Sequence, residues 1–339
     1  MTPERFQTIT EKYPALRLGL VGDFCLDRYL EIDPARAETS IETGLPVYNV
    51  TNIRTQPGAA GTILNNLVAL RAGTIHPVGF CGDDGEGFEL KRELAAKPGV
   101  RLGHFLLTEQ RRTFTYCKPL IITPGQPPRE LNRLDSKNWT PTPEAVEICL
   151  IKSIRELAPQ VDAMILLDQV DLENTGVVTR RLLDAVTEVT QRFPKLLIIA
   201  DSRRGLKGFP PVVFKMNSAE LAALTGTPPA TDLAVIKQTA LSLARQNDRA
   251  VFVTLSERGM LGALPEGQVE HVPSLPLRGP IDIVGAGDSV TANLTVALAA
   301  GAGLREALEL ANAAASIVVH QLGTTGTASV VQLRELLLS

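Results

Sequence analysis

The residues best suited to chemistry stand together in the stretch DIVGAGDSV, from Asp282 to Val290. Gly285, Ala286 and Gly287 are small enough for successive backbone N–H groups to turn toward one point, and the run ANLTVALAAG that follows has helical character. Amides converging at a helix N-terminus make a cradle for an anion. Asp288 falls in the first helical turn, where the helix dipole favours its ionised form. A carboxylate beside an anion site repels the anion. Its presence makes sense if it faces a nucleophile and takes its proton while the amides hold charge on a transferred phosphoryl group. The same spacing also suits a glycine-rich turn with Asp288 as a helix cap. No G-x-x-x-x-G-K-[ST] run occurs, which sets P-loop chemistry aside, and no G-x-G-x-x-G follows the first strand-like segment, which disfavours a dinucleotide fold.

A cradle of this kind must be presented by a sheet edge. Short apolar runs ending in a polar residue recur along the chain: Leu18 to Val21 before Asp23, Ala163 to Leu167 before Asp168, and Leu196 to Ala200 before Asp201. Val212 to Met216 before Asn217 and Ala250 to Leu255 before Ser256 repeat the pattern. Continuous apolar strands alternating with helices imply a parallel sheet covered on both faces, in which ligands bind beyond the carboxyl ends of the strands. The helices show as apolar stripes: Val146, Cys149, Leu150, Ser153, Ile154 and Leu157; then Val178, Leu182, Ala185, Val186 and Val189. A third stripe runs from Leu304 to Leu322, bracketed by Gly303 and Gly323. The expected fold is therefore a single α/β domain over residues 1–339, three-layered and doubly wound around a mostly parallel sheet. Residues 28–56 and 103–137 break that rhythm. Segments Arg28 to Ile32, Val47 to Ile53, Arg112 to Ile121 and Leu131 to Leu134 predict a small antiparallel β-sheet, either a lid over the crevice or a plain extension of the sheet. Pro124 to Pro128 reads as a turn inside it.

Composition narrows the partners. A net charge of −3 offers no basic surplus for nucleic acid, and 4% aromatic residues with the single Trp139 do not make a base-stacking surface. Cys25, Cys81, Cys117 and Cys149 form no C-x-x-C pair, so neither a zinc site nor a disulfide framework is expected. The most apolar stretch, Val290 to Leu304, is too short for a bilayer, and the opening MTPERFQTITEKY is polar and mixed in charge. A cytoplasmic protein without membrane contact is the expectation.

The motifs and their order resemble the PfkB/ribokinase family of carbohydrate kinases over nearly the whole chain. The likeness rests on GAGD at Gly285 to Asp288 with Asp282 ahead, ANAAAS at Ala311 to Ser316 behind, KMNSAE at Lys215 to Glu220, and TLSERG at Thr254 to Gly259. GDFCLDRYL at Gly22 to Leu30, ETGLPVYNV, PGAAG at Pro57 to Gly61, RLD at Arg133 to Asp135 and HQLGTTG at His320 to Gly326 are similar to the branch formed by the kinase domains of bifunctional heptose-phosphate kinase/adenylyltransferases. With the chain ending at Ser339, a kinase domain without the adenylyltransferase half is expected. The resemblance implies a ribokinase-like fold, ATP and Mg²⁺ as cofactors with a monovalent cation as a further candidate, and a homodimer formed through the lid. It implies Asp288 as catalytic base and the Gly285, Ala286 and Gly287 backbone as anion hole. Asn217 and Glu220 would organise Mg²⁺ and phosphates, Glu220 through water. Ser256, Gly259 and Asn312 would line the nucleotide pocket. Asn217 would equally serve as a helix cap, Glu220 as a solvated helix residue, and Asn312 as a polar residue held between helices.

The substrate end departs from the family pattern. Where the family has Gly-Gly followed by Asn, this chain reads Gly58-Ala59-Ala60-Gly61-Thr62, and Thr62 has the shorter reach. Asp27 and Asp168 keep the acidic sugar-contact positions, but QVDLENTG after Asp168 lacks the family's tyrosine and lysine. Arg111, Arg112, Lys118, Arg133, Arg203 and Arg204 supply cations around the same crevice, with Arg133 and Arg203 at family positions. A sugar or sugar phosphate is the expected acceptor. Two other readings stay open: a kinase for a nucleoside or vitamin hydroxyl, and a non-catalytic ligand-binding protein that kept the nucleotide end while its acceptor site drifted.

Overall fold

The structure is a computed structural model that describes residues 1–323 and 325–338. Thr324, inside the HQLGTTG segment, and Ser339, the end of the expected domain, lie outside the described residues. From the N-terminus, α1 (Pro3–Thr10) leads into β1 (Arg17–Gly22), and β2 (Phe24–Ile32), β3 (Glu38–Thr39), β4 (Pro46–Val47) and β5 (Val50–Ala59) then leave the core. α2 (Ala60–Ala69), β6 (Thr74–Gly82), α3 (Gly85–Ala95) and β7 (Phe105–Thr108) return to it. A second excursion forms β8 (Thr115–Ile121), β9 (Arg129–Glu130) and β10 (Leu134–Ser136). Next come α4 (Glu144–Leu157), β11 (Ala163–Asp168), α5 (Arg180–Arg192), β12 (Leu197–Ser202), β13 (Val213–Asn217), α6 (Ser218–Thr225), α7 (Leu233–Asn247) and β14 (Val251–Thr254). The chain closes with β15 (Met260–Ala263), β16 (Val269–Val272), α8 (Ala286–Ala299), α9 (Leu304–Val319) and α10 (Val330–Leu338).

Nine strands make one sheet in the order β16-β15-β14-β13-β12-β11-β1-β6-β7. Every pairing from β14 to β7 is parallel, and only β15 and β16 add antiparallel edges. The central strands are apolar on both sides because both sides are covered. α1, α2, α3, α8, α9 and α10 bury their stripes on one face, and α4, α5, α6 and α7 on the other, giving the three layers. α8 packs against β11 and β12 between α2 and α9, which sets its N-terminus over the carboxyl ends of the central strands. Among the described residues no helix is long and apolar enough to cross a membrane.

The second sheet has the order β10-β8-β2-β5, with β9 beside β8. Its outer pairings are antiparallel as expected, but β2 and β8 at its centre run parallel. The reason is topological: between them the chain passes through the core, from α2 to β7, and a return of that length permits parallel entry. Residues 105–108, within the segment assigned to the lid, pair with β6 and extend the large sheet. Of the expected strand Leu131 to Leu134 only Leu134 is in a strand, as the first residue of β10, while residues 131–133 connect β9 to β10; residues 124–125 form the turn between β8 and β9. Ion pairs brace the small sheet on both flanks, Arg28 to Glu86 and Glu89 of α3, and Lys137 to Asp171 beyond β11.

Three helix expectations need correction. Cys149 is exposed, and Glu147 takes the buried place beside Val146, Leu150, Ile154 and Leu157, its carboxylate accepting from Arg181. Val178 is buried but lies ahead of α5, whose N-cap is Thr179. α9 ends at Val319 with His320 as its cap, so Leu322 is exposed and Gly323 shapes the following turn.

Candidate active site

Gly285 begins α8 with φ 81°, a left-handed conformation suited to glycine, and acts as N-cap without any side chain. An ideal Cβ there would sit 2.9 Å from the Thr325 methyl and 3.5 Å from that of Thr62, so the turn is gripped from two sides. One at Gly287 would come within 3.1 Å of Lys215 Nζ. The cradle therefore has bare backbone above and an ammonium below. Asp288, partly buried in the first turn, has its carboxyl pushed up to about 7, by burial first and then by Asp201 and Asp27, against the pull of Lys215. A carboxylate so placed gains a proton readily, as a general base near neutral pH must.

Lys215 is a functional candidate that sequence reasoning passed over, since it entered only as the first letter of KMNSAE. The available signal was a lysine inside the otherwise apolar strand β13. Its side chain is 8% exposed and its Nζ meets Asp201 Oδ2 at 2.6 Å. Burial opposes the charge, yet Asp201, Asp288 and Glu220 hold its affinity for the proton above the ordinary lysine range. Thr291, one turn along α8 from Gly287, donates its hydroxyl to the same Asp201 at 2.9 Å.

A cleft of about 480 Å³ runs from this cradle between β14, the loop after β16 and α9. Ser256, Gly259 and Asn312 line it together with Ala286 and Gly287. Gly259 has φ 87°, and any Cβ there would strike the Val272 carbonyl. Asn312 donates to the Pro273 carbonyl at 2.8 Å, which fixes the cleft's far wall. Leu277, Ile281 and Ile283 give its mouth an apolar, exposed rim. Asn217 and Glu220 stand outside the lining and form a reciprocal capping box on α6, Asn217 Oδ1 accepting from the Glu220 amide and Glu220 Oε2 from the Asn217 amide. Glu220 is nonetheless part of the cradle's charge balance, for burial and then Asp201 raise it while Lys215 lowers it. Asp201, Glu220 and Asp288 thus set three carboxylates around one ammonium. That excess suits a hard divalent ion shared with phosphate oxygens, although no group of three potential ligands is preassembled among the described residues.

Across the cradle, Asp27 on β2 approaches Gly58 on β5 so closely that a Cβ at 58 would sit 2.8 Å from its carboxyl carbon. Asp27 is raised by burial, offset by Lys118, whose Nζ lies 3.4 Å away, and by Gln56 and Arg133. Thr62 is buried on the first turn of α2, its methyl toward Gly285. Asp168 ends β11 and is buried; Oδ2 accepts from Ser202 and from Arg204 at 2.8 Å each, while Oδ1 has no hydrogen-bond partner among the described residues. Burial and neighbouring Asp23 lift it to about 7. Arg203 points instead to Asp171, at 3.3 Å, so the adjacent arginine does the work of holding Asp168. Arg133 lies over the Tyr116 ring at 4.8 Å and pairs with Asp135. Arg111 is buried against Thr140, away from these groups.

A glycine-rich turn at a helix N-terminus beside a carboxyl pushed up to about 7 is an arrangement suited to moving a phosphoryl group to a hydroxyl, the chemistry of small-molecule kinases. Residues 24–330 match the pfkB family of carbohydrate kinases, and the chain belongs to that family. Among curated proteins it is similar to the bifunctional protein HldE of Bradyrhizobium sp. (strain ORS 278), 33% identical over 94% of this chain and 62% of the relative. It is also similar to HldE of Geobacter metallireducens, 31% identical over 90% of this chain. The chain thus spans about 60% of the length of these relatives. Among solved structures, Arabidopsis thaliana ribokinase complexed with ribose and ATP matches with a TM-score of 0.67 at 19% identity, covering 95% of this chain and 98% of that one. Escherichia coli phosphofructokinase-2 in complex with potassium matches with a TM-score of 0.70 at 18% identity and the same coverage. These two likenesses establish the ribokinase-like fold, and family membership makes the chain a carbohydrate kinase.

Proposed function

We propose that this kinase transfers the γ-phosphoryl group of ATP to a hydroxyl of a sugar or sugar phosphate, with Asp288 as the base. The observation that carries the reading is the position of Asp288. It stands at the lip of the amide cradle, electrostatically coupled both to Asp201 and Lys215 on the nucleotide side and to Asp27 on the acceptor side. The triphosphate would lie along the cleft with Ser256, Gly259 and Asn312 around the nucleoside and its terminal phosphate at the Gly285, Ala286 and Gly287 amides. The acceptor would rest on Asp27, Gly58, Thr62 and Asp168. Its hydroxyl proton passes to Asp288, its oxygen bonds to the γ-phosphorus, and the bond from that phosphorus to the bridging oxygen breaks. Lys215 supplies fixed positive charge beneath the oxygens that gain charge during transfer. Mg²⁺ would be held near Glu220 through water, with Asn217 beside it, where it supplies charge neutralisation for the phosphates.

A monovalent cation as activator is supported by the potassium complex of a structural neighbour. A cytoplasmic enzyme is the setting that ATP use suggests. A homodimer through the lid is supported by the outer strand β5 and the β3–β4 hairpin, where Ile41, Leu45, Tyr48, Val50 and Ile53 are all exposed. Arg133 and Arg203 favour an acceptor already carrying a phosphate, such as a sugar resembling heptose 7-phosphate. The deciding experiment is to incubate purified protein with MgATP and a panel of sugars and sugar phosphates, reading ADP release. Turnover confined to one acceptor class supports the reading, and no acceptor-dependent ADP release from any member would sink it.

A further inference from the structure

The acceptor side and the cradle are built from distant parts of the chain, and one side chain joins them. Gln56, on β5, lies opposite Asp27 in the register of the small sheet. Its amide nitrogen carries two hydrogens. It stands beside Asp27, whose carboxyl it helps to lower, reaches the Tyr29 hydroxyl at 3.4 Å, and donates to the Thr325 hydroxyl. Thr325 belongs to the segment between α9 and α10, and its methyl is the atom nearest to a would-be Cβ on Gly285. Among the described residues that segment is tied early by His320 to the Arg278 amide, and later by Gln321 to residue 327 and by Asn66 to residues 326 and 328. Thr325 itself takes its direction from Gln56.

We infer that Gln56 is a positioning residue for the nucleotide site: through Thr325 it holds the Gly285 turn in its anion-binding form, and so links that turn to the acceptor carboxylate Asp27. The inference rests on the reading that the Gly285 to Gly287 amides bind nucleotide phosphates. Gln56 is outside the residues that line the nucleotide cleft, so a change there removes no direct contact with the nucleotide. A neutral hydrogen bond in such a place is worth roughly a factor of three to ten in an equilibrium constant. Because coupling between two sites is reciprocal, a ligand that fixes Asp27 would raise nucleotide affinity by the factor that nucleotide raises its own.

The test uses the full chain and the non-hydrolysable ATP analogue AMP-PNP with Mg²⁺, measured by calorimetry with no acceptor present. Gln56→Ala and Thr325→Val should each weaken AMP-PNP binding about three- to tenfold, and the double variant no more than either alone, since both break one bond. Thr325→Ser, which keeps the hydroxyl, should bind nearly as wild type. Arg54→Ala, on the same face of β5 but paired with Glu31, should leave binding unchanged. Melting temperatures by circular dichroism show whether each variant is folded. If wild type itself fails to bind AMP-PNP, the nucleotide reading of the cradle falls. If wild type binds and Gln56→Ala binds equally well, or the two losses add, Gln56 has no positioning role.

Discussion

Asp201 and Lys215 meet at 2.6 Å beneath the turn that opens α8, one from the end of β12 and one from β13. Both side chains are largely shut off from solvent, Lys215 being 8% exposed and Asp201 14%. Replacing Lys215 with Met keeps volume while removing the ammonium. Breaking a buried pair from one side costs about 3–5 kcal/mol, because the remaining charge is stranded. Lys215→Met should therefore lower stability by that order in urea unfolding, and turnover by about a hundredfold through loss of charge at the phosphoryl group. Combining it with Asp201→Asn should restore much of the stability and little of the turnover. Recovery of both would make Lys215 a structural residue only.

The pH profile follows from the groups that shift Asp288. A base works ionised, so kcat/KM should rise with pH through about 7 and level off above it. Asp201 raises the Asp288 carboxyl and Lys215 lowers it. Asp201→Asn should move the acid limb to lower pH, and Lys215→Met should move it higher. A limb that stays in place in both variants would show that another group governs the profile.

Asp288→Asn separates catalysis from stability. Loss of a general base is worth about two to four orders of magnitude in turnover, with AMP-PNP binding kept. The stability effect has the opposite sign. The folded carboxyl is raised to about 7 from an ordinary 3.8, so the wild type holds its full stability below the lower value and loses it as pH climbs through the higher one. Asparagine does not titrate. The variant's melting temperature should pull ahead of wild type between about pH 4 and pH 7 and keep a constant lead above that. Equal melting temperatures at pH 8 would mean that Asp288 is not held under strain.

The strand-to-polar pattern at Asp168, Asp201 and Asn217 was legible in the sequence because a strand covered on both faces has no alternation, and the polar residue that closes each apolar run marks the strand's carboxyl end. GAGD was legible for a similar reason: backbone that must approach a ligand tolerates only small residues. Lys215 was not, because a buried lysine is recognised by its partner, and Asp201 lies on another strand. The parallel entry of β8 beside β2 was hidden as well, since alternation gives a strand its faces but not its direction. Of the adjacent pair the family likeness singled out Arg203, while which carboxylate each arginine meets was not legible: the structure gives Asp168 to Arg204 and Asp171 to Arg203. The capping box explains why Asn217 and Glu220 read equally well as a cap and as a phosphate site, for their spacing serves α6 directly.

The last prediction concerns the acceptor. Tyr116 stands opposite Asp27 in the small sheet, and Arg133 lies over its ring at 4.8 Å while the positive charge of Arg203 works against the burial that raises the Tyr116 hydroxyl. A sugar held on Asp27 would direct its far end toward both guanidinium groups. Each now has a carboxylate partner, Asp135 at 2.7 Å for Arg133 and Asp171 at 3.3 Å for Arg203, and both arginines are about half exposed. A phosphate would compete for them with charge-assisted, bidentate contacts, whereas a hydroxyl would not displace a carboxylate. The phosphosugar should thus be preferred over the free sugar. Arg133→Ala or Arg203→Ala should raise its KM about tenfold or more while changing kcat little, since the contact exists in ground and transition states alike. Asp171→Asn, which frees Arg203 from its partner, should lower that KM. Equal kcat/KM for a sugar and its phosphate, with all three variants unchanged, would leave the two arginines as lid and loop charges and return the acceptor to a neutral sugar.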